Sequence, residues 1–233
     1  MGISYLSHLL FELNFTTSLA HCNFQLRAKE SDLDEEFVKL FSQKTSNQIY
    51  IKLFDTNNFA KEHKLSTQIA ARELRYKWFQ ELAKEYHFDY ILTAHHADDQ
   101  VETVLMQFFR GTGLHGLTGI PAMRTHQQNP LATDHINLIR PLLPFSKASI
   151  KDFAKLNGLD YVEDSSNLKN DYTRNLIRNQ LIPQMEIIYP NVNQQILDTI
   201  SRLKEAEDIV DRTVTSFWKK HTQEVINDNG YAP

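Results

Sequence analysis

The sequence predicts an α/β protein: a doubly wound parallel sheet with helices on both faces, plus a C-terminal helical extension. Three observations predict it. Apolar runs at Ser18–Phe24, Ile49–Phe54 and Tyr90–Ala94 have the length and residue content of buried strands. The helical patterns between them are long enough for crossovers, giving the order β-α-β-α-β of a parallel sheet. Polar side chains then gather directly after the third run, in Thr93-Ala-His-His-Ala-Asp-Asp-Gln-Val-Glu-Thr103. Open α/β sheets place their ligands where a strand gives way to a helix.

Each element follows from its local pattern. Gly2 to Leu13 reads as a helix, with Tyr5, Leu6, Leu9, Leu10 and Leu13 at helical spacing. A helix is an unusual first element for this fold class. The strand at 18–24 ends in His21 and Asn23. Ser31, followed by acids at 32 and 34–36 and then Phe37, Leu40 and Phe41, reads as a capped helix start whose charges suit the dipole. Ser66 opens a long helix reaching about Glu85. In that helix Ile69, Leu74, Trp78 and Phe79 supply apolar contacts, and Arg72 and Arg75 lie three apart on one face. Adjacent guanidiniums repel unless an anion faces them, and their planar forks suit phosphate. Surface arginines paired with Glu73 are the plain alternative.

After the strand at 90–94, Val101, Val104, Leu105 and Phe108 define the buried stripe of the next helix. Asp99 and Glu102 share another face, beside Asp98. A capping box with Asp99 as its first residue would account for the same letters. A glycine-rich loop follows, Arg110-Gly-Thr-Gly-Leu-His-Gly-Leu-Thr-Gly119. Residues 121–135 read as a surface loop and 138–144 as an extended stretch. Ser146 caps a helix through about Leu156, stopped by Asn157-Gly158. Residues 161–167 are a polar loop. The next helix starts at Asp171 and ends at Pro183, with Arg174 and Arg178 on one face and Asn175 beside them. A solvated helix face explains that pair equally well. A final helix from about Asn193 to Lys220 looks like a connector.

Composition narrows the function classes. The chain has 233 residues, 41% hydrophobic and 23% charged, which fits one α/β domain with a small appendage. It has no signal peptide and no apolar run of about 18 residues, so the expectation is a cytoplasmic protein with no membrane partner. Cys22 is the sole cysteine. It excludes an internal disulfide, a cysteine-only zinc site and a two-cysteine sulfur relay. With a net charge of −4, any nucleic-acid surface must be local.

Five segments in order carry a family resemblance: Ala20-His-Cys-Asn-Phe24, Ala70-Ala-Arg-Glu-Leu-Arg-Tyr76, Thr93 to Thr103, Arg110-Gly-Thr-Gly-Leu-His-Gly-Leu117, and Asp164-Ser-Ser-Asn167 with Arg174-Asn-Leu-Ile-Arg178. Together they resemble the bacterial tRNA(Ile)-lysidine synthetases, N-type ATP pyrophosphatases of the PP-loop family with an adenine-nucleotide alpha-hydrolase-like fold. The resemblance runs from about residue 4 to about residue 215. It implies an ATP-dependent ligase that joins lysine to C2 of the wobble cytidine in the CAU anticodon of tRNA(Ile), through an adenylated cytidine. The implied cofactors are ATP and Mg²⁺. The implied partners are that tRNA, free L-lysine and a second copy in a homodimer.

The resemblance also distributes roles. Asp98, Asp99 and Glu102 would hold Mg²⁺ or the lysine ammonium, Asp99 being the first choice for the metal. Arg75, with Arg72, would meet ATP phosphate or the adenylated intermediate. Ser4, His21, Asn23, His96, Arg110, Gly111 and Gly113 would line the nucleotide side. His95 would join His96 there or serve only as a core residue. Arg174, Asn175 and Arg178 would face the tRNA or the substrate pocket. Residues 1–187 would form the catalytic domain and 188–233 a connector toward C-terminal tRNA-binding domains.

One departure bears on all of this. The family pattern opens with a strand and a Ser-Gly-Gly-x-Asp-Ser phosphate loop. Here Ser4 can match only the last serine of that loop, with Ile3 at the aspartate's place. The first strand and both glycines have no counterpart in this chain. The expectation is weak ATP binding and an unpaired central position in the sheet. Two other readings stay open: a related tRNA-thiolating pyrophosphatase, and a non-catalytic nucleotide- or RNA-binding remnant.

Overall fold

The computed structural model describes residues 2–27, 29–125, 137–160 and 173–222. Helix α1 covers Gly2–Glu12 and strand β1 Ser18–Asn23. They are followed by α2 (Lys29–Thr45), β2 (Gln48–Leu53), α3 (Thr56–Glu62) and α4 (Thr67–Tyr86). Next come β3 (Tyr90–Leu92), α5 (Ala97–Phe109), α6 (Leu114–Leu117), β4 (Met123–Arg124), β5 (Asn137–Ile139) and α7 (Lys147–Leu156). The last elements are α8 (Thr173–Leu176), a π-helical segment (Ile177–Leu181), α9 (Ile182–Ile188) and α10 (Val192–His221).

The α/β class with parallel strands is observed, but the hydrogen bonds form two ladders. β1 pairs in parallel with β2, from Ser18 opposite Gln48 to Asn23 opposite Leu53. β3 pairs in parallel with β5, and the two-residue β4 joins β5 antiparallel. Among the described residues no strand bridges β1 and β3. The expected single sheet is therefore interrupted between them.

The chain divides into two compact units, residues 1–97 with 121–166 and residues 98–120 with 167–233. The first unit holds both ladders and two apolar clusters. One gathers Tyr5, Leu6, Leu142 and Ile150, with Leu92, Ala94 and Phe153 against it. Tyr5 and Phe153 meet edge to face at 4.7 Å, so α1 and α7 share this core. The other cluster joins Phe54 at the end of β2 to Trp78 and Leu82 of α4. In the second unit, Val101 and Leu105 of α5 pack on Ile177 and Ile182. Beyond Ile200, α10 leaves Ile209, Val210, Val214, Phe217 and Trp218 exposed. No described helix is long and apolar enough to cross a membrane.

Several local expectations meet a physical correction. Ser31 does not cap α2: the helix starts at Lys29, and the Ser31 hydroxyl accepts from the Arg27 backbone N–H at 3.2 Å. Asp99 lies inside the first turn of α5, so the capping-box alternative fails. The Ser66 and Ser146 caps are formed, each hydroxyl accepting from the backbone N–H three residues on. Helix α3, capped by Asp55, carried no clear periodicity. Pro183 does not end its helix. Proline lacks an N–H and crowds the carbonyl four residues back. The π-helical segment before it widens that turn, and Ile182 N–H bonds the carbonyl of Ile177, five back. The polar loop at 161–167 and most of the 121–135 loop lie outside the described residues.

Ile150 is 0% exposed at the centre of the first cluster. Ile150→Ala should cost about 2–5 kcal/mol of stability in urea unfolding. A loss below about 1 kcal/mol would mean that this cluster is not a packed core.

Candidate functional site

In the first unit, the end of β1 carries two of the expected residues, His21 and Asn23. Asn23 is 2% exposed and fully engaged. Its amide donates to Glu35 at 2.9 Å and to Asp32 at 3.3 Å, and its oxygen accepts from Gln25 N–H at 3.0 Å. Two acids of α2, Asp32 and Glu35, whose charges suit the helix dipole, thus also hold a strand-end amide. His21 is half-buried. Burial lowers its pKa, against the pull of Glu35 and Asp34, so it is neutral near pH 7. Its Nε2 is buried without a hydrogen-bond partner among the described residues.

Arg75 of α4 reaches this strand end. Its guanidinium lies 5.1 Å from the Phe24 ring centre. Its charge also favours the Cys22 thiolate, but burial dominates there and pushes the thiol pKa up to about 11. Arg72 goes elsewhere, over the ring of Tyr76 at 4.8 Å. The two arginines share a helix but have different neighbours. Ser4 is buried in the first turn of α1. At the end of β3, the Thr93 hydroxyl and His95 Nδ1 are 2.9 Å apart, and His96 directly precedes α5.

The second unit brings together residues from two distant segments. Glu102 is a fully buried carboxylate, with 1% of its side chain exposed. Arg178 grips it with two nearly parallel bonds, Nε to Oε1 at 2.5 Å and Nη2 to Oε2 at 2.9 Å. Arg174 Nε donates to Oε2 at 2.6 Å. The same two arginines reach Asp99: Arg174 Nη2 bonds Oδ1 at 3.2 Å, and Arg178 lies 3.5 Å from it. Burial opposes the Arg178 charge, but the Glu102 bonds and the attraction of Glu102, Asp99 and Asp98 outweigh it and raise its pKa. The expected tRNA-facing arginines and the expected acids are thus one ion-paired cluster. Spacing within each helix showed two separate faces and had no means of joining them. Asn175 is buried beside the cluster, while Arg174 keeps 37% of its side chain exposed.

The glycine-rich loop is held by a residue that sequence reasoning passed over. Gln100 bonds both backbone groups of Ile120, accepting from its N–H at 2.6 Å and donating to its carbonyl at 3.0 Å. Gly119 has φ +73°, and a Cβ there would stand 2.3 Å from the Gln100 amide oxygen. Only glycine fits that approach. Gly111, also at φ +73°, turns the chain out of α5 beside an exposed Arg110. Gly113 precedes α6 in extended conformation. Spacing gave no signal for Gln100, which lies one turn before Val104 at the edge of the apolar stripe.

No described group of three or more His, Cys, Asp or Glu side chains can hold a metal ion by itself. A Mg²⁺ ion held together with nucleotide phosphates takes one or two carboxylates from a protein, and Asp98 and Asp99 in the first turn of α5 could supply them.

Parallel strands with helical crossovers, and polar groups collected at the strand ends, define an α/β protein of the nucleotide-binding type. Comparison with known proteins makes the assignment specific. The PP-loop domain profile matches residues 3–185. The chain belongs to the PP-loop domain family. It is 38% identical over 209 residues to a tRNA(Ile)-lysidine synthase of Bacteroides thetaiotaomicron, covering 90% of this chain and 46% of that protein. It is 37% identical over 227 residues to one of Clostridium acetobutylicum, covering 94% of this chain and 46% of that protein. The chain spans about half the length of these relatives. Among solved structures, the U34-tRNA thiolase NcsA of Methanococcus maripaludis, with its 4Fe-4S cluster, has the same fold. Its TM-score is 0.66 at 16% identity, covering 100% of this chain and 74% of that one.

A thiol pKa of about 11 leaves roughly one thiolate in a thousand at pH 8. Cys22 in the native chain should therefore react with iodoacetamide at least about a hundred-fold more slowly than after unfolding. Equal rates in the two states, followed by mass spectrometry, would contradict the buried position.

Proposed function

We propose that this chain is the catalytic part of an enzyme that ligates lysine to the wobble cytidine of tRNA(Ile) with a CAU anticodon. The observation that carries the reading is the 38% identity to a tRNA(Ile)-lysidine synthase across 90% of the chain. The reaction has two steps. The C2 carbonyl oxygen of cytidine attacks the α-phosphorus of ATP, and pyrophosphate leaves. The amine of lysine then attacks C2, and AMP leaves with that oxygen. The amine loses its proton to a nearby base.

The residues fit these steps as follows. Arg75, on α4 with its guanidinium beside Phe24, would meet a phosphate or the adenylated base, and Arg72 a second anion. The neutral His21, with its open Nε2, and Asn23 would border the adenine. Arg110 and the amides around Gly111 and Gly113 suit phosphate or RNA. Asp98 and Asp99, in the first turn of α5, are the groups for lysine's ammonium and for Mg²⁺, which when bound neutralises the triphosphate. Glu102 is already satisfied by two arginines, so its role in this reading is to fix Arg174 and Arg178. The exposed side of Arg174, with Asn175, would then face the substrate. In the same reading residues 1–187 are catalytic, 188–233 connect to tRNA-binding domains, and the enzyme acts in the cytoplasm, in homodimeric form.

A thiolating reaction is the weaker reading. It needs a reactive sulfur nucleophile, and burial holds the Cys22 thiol near pKa 11.

The test adds a Ser-Gly-Gly-x-Asp-Ser loop and its strand ahead of Ser4 and measures ATP-dependent transfer of labelled lysine to the CAU tRNA. Transfer is expected. Asp99→Ala should reduce it about a hundred-fold or more without altering the circular-dichroism spectrum. ATP binding without lysine transfer would overturn the assignment and favour a binding remnant.

A further inference from the structure

Helix α5 ends on two adjacent exposed rings. Phe108 is 63% and Phe109 64% exposed, and the rings meet edge to face with centroids 5.8 Å apart. Both stand outside the cluster in which Val101 and Leu105 of the same helix are buried. The next residue, Arg110, is also exposed, and no described carboxylate pairs with its guanidinium. An unpaired cation in a chain of net charge −4 suits an anionic partner.

The backbone behind these side chains is fixed. The N–H groups of Gly111 and Thr112 bond the carbonyls of Phe108 and Gln107 at 3.0 and 3.4 Å, closing α5 over a left-handed glycine. Farther along the loop, the Thr118 hydroxyl donates to the His115 carbonyl at 2.7 Å, and Gln100 holds Ile120. Two other glycines serve packing. A Cβ at Gly116 would stand 2.0 Å from the Thr112 hydroxyl, and one at Gly119 2.3 Å from Gln100. Gly113 differs. Its φ of −79° suits any residue, and a Cβ there would meet nothing within 4 Å. The fold does not ask for glycine at 113. Its bare backbone, three residues after Arg110, leaves room for a ligand to approach closely.

Exposed aromatic faces, an unpaired cation and bare backbone are the parts with which proteins hold unpaired nucleotides: the bases stack on the rings and the phosphates meet the cation. We propose that Phe108 and Phe109, with Arg110 and the Gly113 backbone, form a stacking site for unpaired RNA bases. Arg110 meets a phosphate next to the stacked base. The site rests on the reading that this chain acts on tRNA, and it adds contacts away from the strand ends. At 1.5 Å per residue, α5 from Asp99 to Phe109 spans about 15 Å. The base held on the rings is therefore a neighbour of the reacting base and not that base itself. Because the loop is already held in place, little ordering is left to oppose binding.

The 233-residue chain itself is used for the test, at low salt because screening weakens phosphate contacts. It is titrated by anisotropy with a fluorescent RNA hairpin whose loop carries the CAU anticodon, and with a fully paired duplex of the same length. Replacing both rings, Phe108→Leu with Phe109→Leu, keeps the surface apolar and removes the stacking faces. The chain should bind the hairpin about ten-fold or more tighter than the duplex, and the double variant should lose about ten-fold in hairpin affinity with an unchanged melting temperature. If the double variant melts early, Phe109→Leu alone decides. Arg110→Gln should lower the slope of log affinity against log salt by about one. Phe217→Leu, at an exposed ring of α10, should change nothing. No hairpin binding, equal affinity for the duplex, full binding by the ring variants, an unchanged salt slope for Arg110→Gln, or equal weakening by Phe217→Leu would overturn the proposal. Full RNA binding with loss of self-association in the ring variants would give the patch to a second copy of the chain instead. Binding here needs neither ATP nor lysine, so a failure of lysine transfer with ring-dependent binding intact counts against the reaction and not against this site.

Discussion

A buried carboxylate between two arginines is the constraint on which the second unit depends. Removing a charge from water costs several kcal/mol, and the cost is met only when every oxygen is bonded with good geometry. Glu102 meets that condition through Arg178 and Arg174. The bonds tie α5 to the segment that runs through α8, the π-helical turn and α9. The apolar contacts of Val101 and Leu105 with Ile177 and Ile182 lie along the same seam. The π-helical turn lets the chain continue past Pro183, so that this segment keeps facing α5. Local backbone geometry, packing and charge therefore agree at one place, which is what specifies a single arrangement.

The first unit solves a different problem. Its strand ends expose polar groups that are only partly satisfied from within. Asn23 is satisfied completely by Asp32, Glu35 and Gln25, whereas His21 and Arg140 each keep a buried nitrogen without a described partner. Native proteins rarely leave such atoms, and those that persist mark places where a ligand or water completes the set. Both lie at the ends of parallel strands, where an α/β sheet receives its ligands. The gap between the β1–β2 and β3–β5 ladders falls in this same unit.

The sequence showed much of this and hid a definite part. Strand identity was legible because apolar runs of strand length alternate with helical periods. Helix starts were legible where a serine stood directly before the periodic stripe, as at Ser66 and Ser146. Ser31 misled because its hydroxyl can also bond backward, and spacing does not distinguish the two uses. The candidate acids and arginines were found individually, from residue type and position. Their pairing was not, because Glu102 and Arg178 lie on separate helices and periodicity describes only one helix at a time. Arg140 carried no signal at all: a lone arginine before a proline looks like surface, and only burial shows otherwise. Gln100 was hidden for the same reason, since its two bonds to Ile120 depend on how the glycine-rich loop returns to α5.

The most direct test is a double-mutant cycle on Glu102 and Arg178 in this chain, read by urea unfolding. Glu102→Gln and Arg178→Gln each strand a buried partner, and the double variant strands neither charge. The coupling between them should be about 2 kcal/mol or more. Effects that add to within about 0.5 kcal/mol would contradict the clamp, and with it the joining of α5 to the arginine segment.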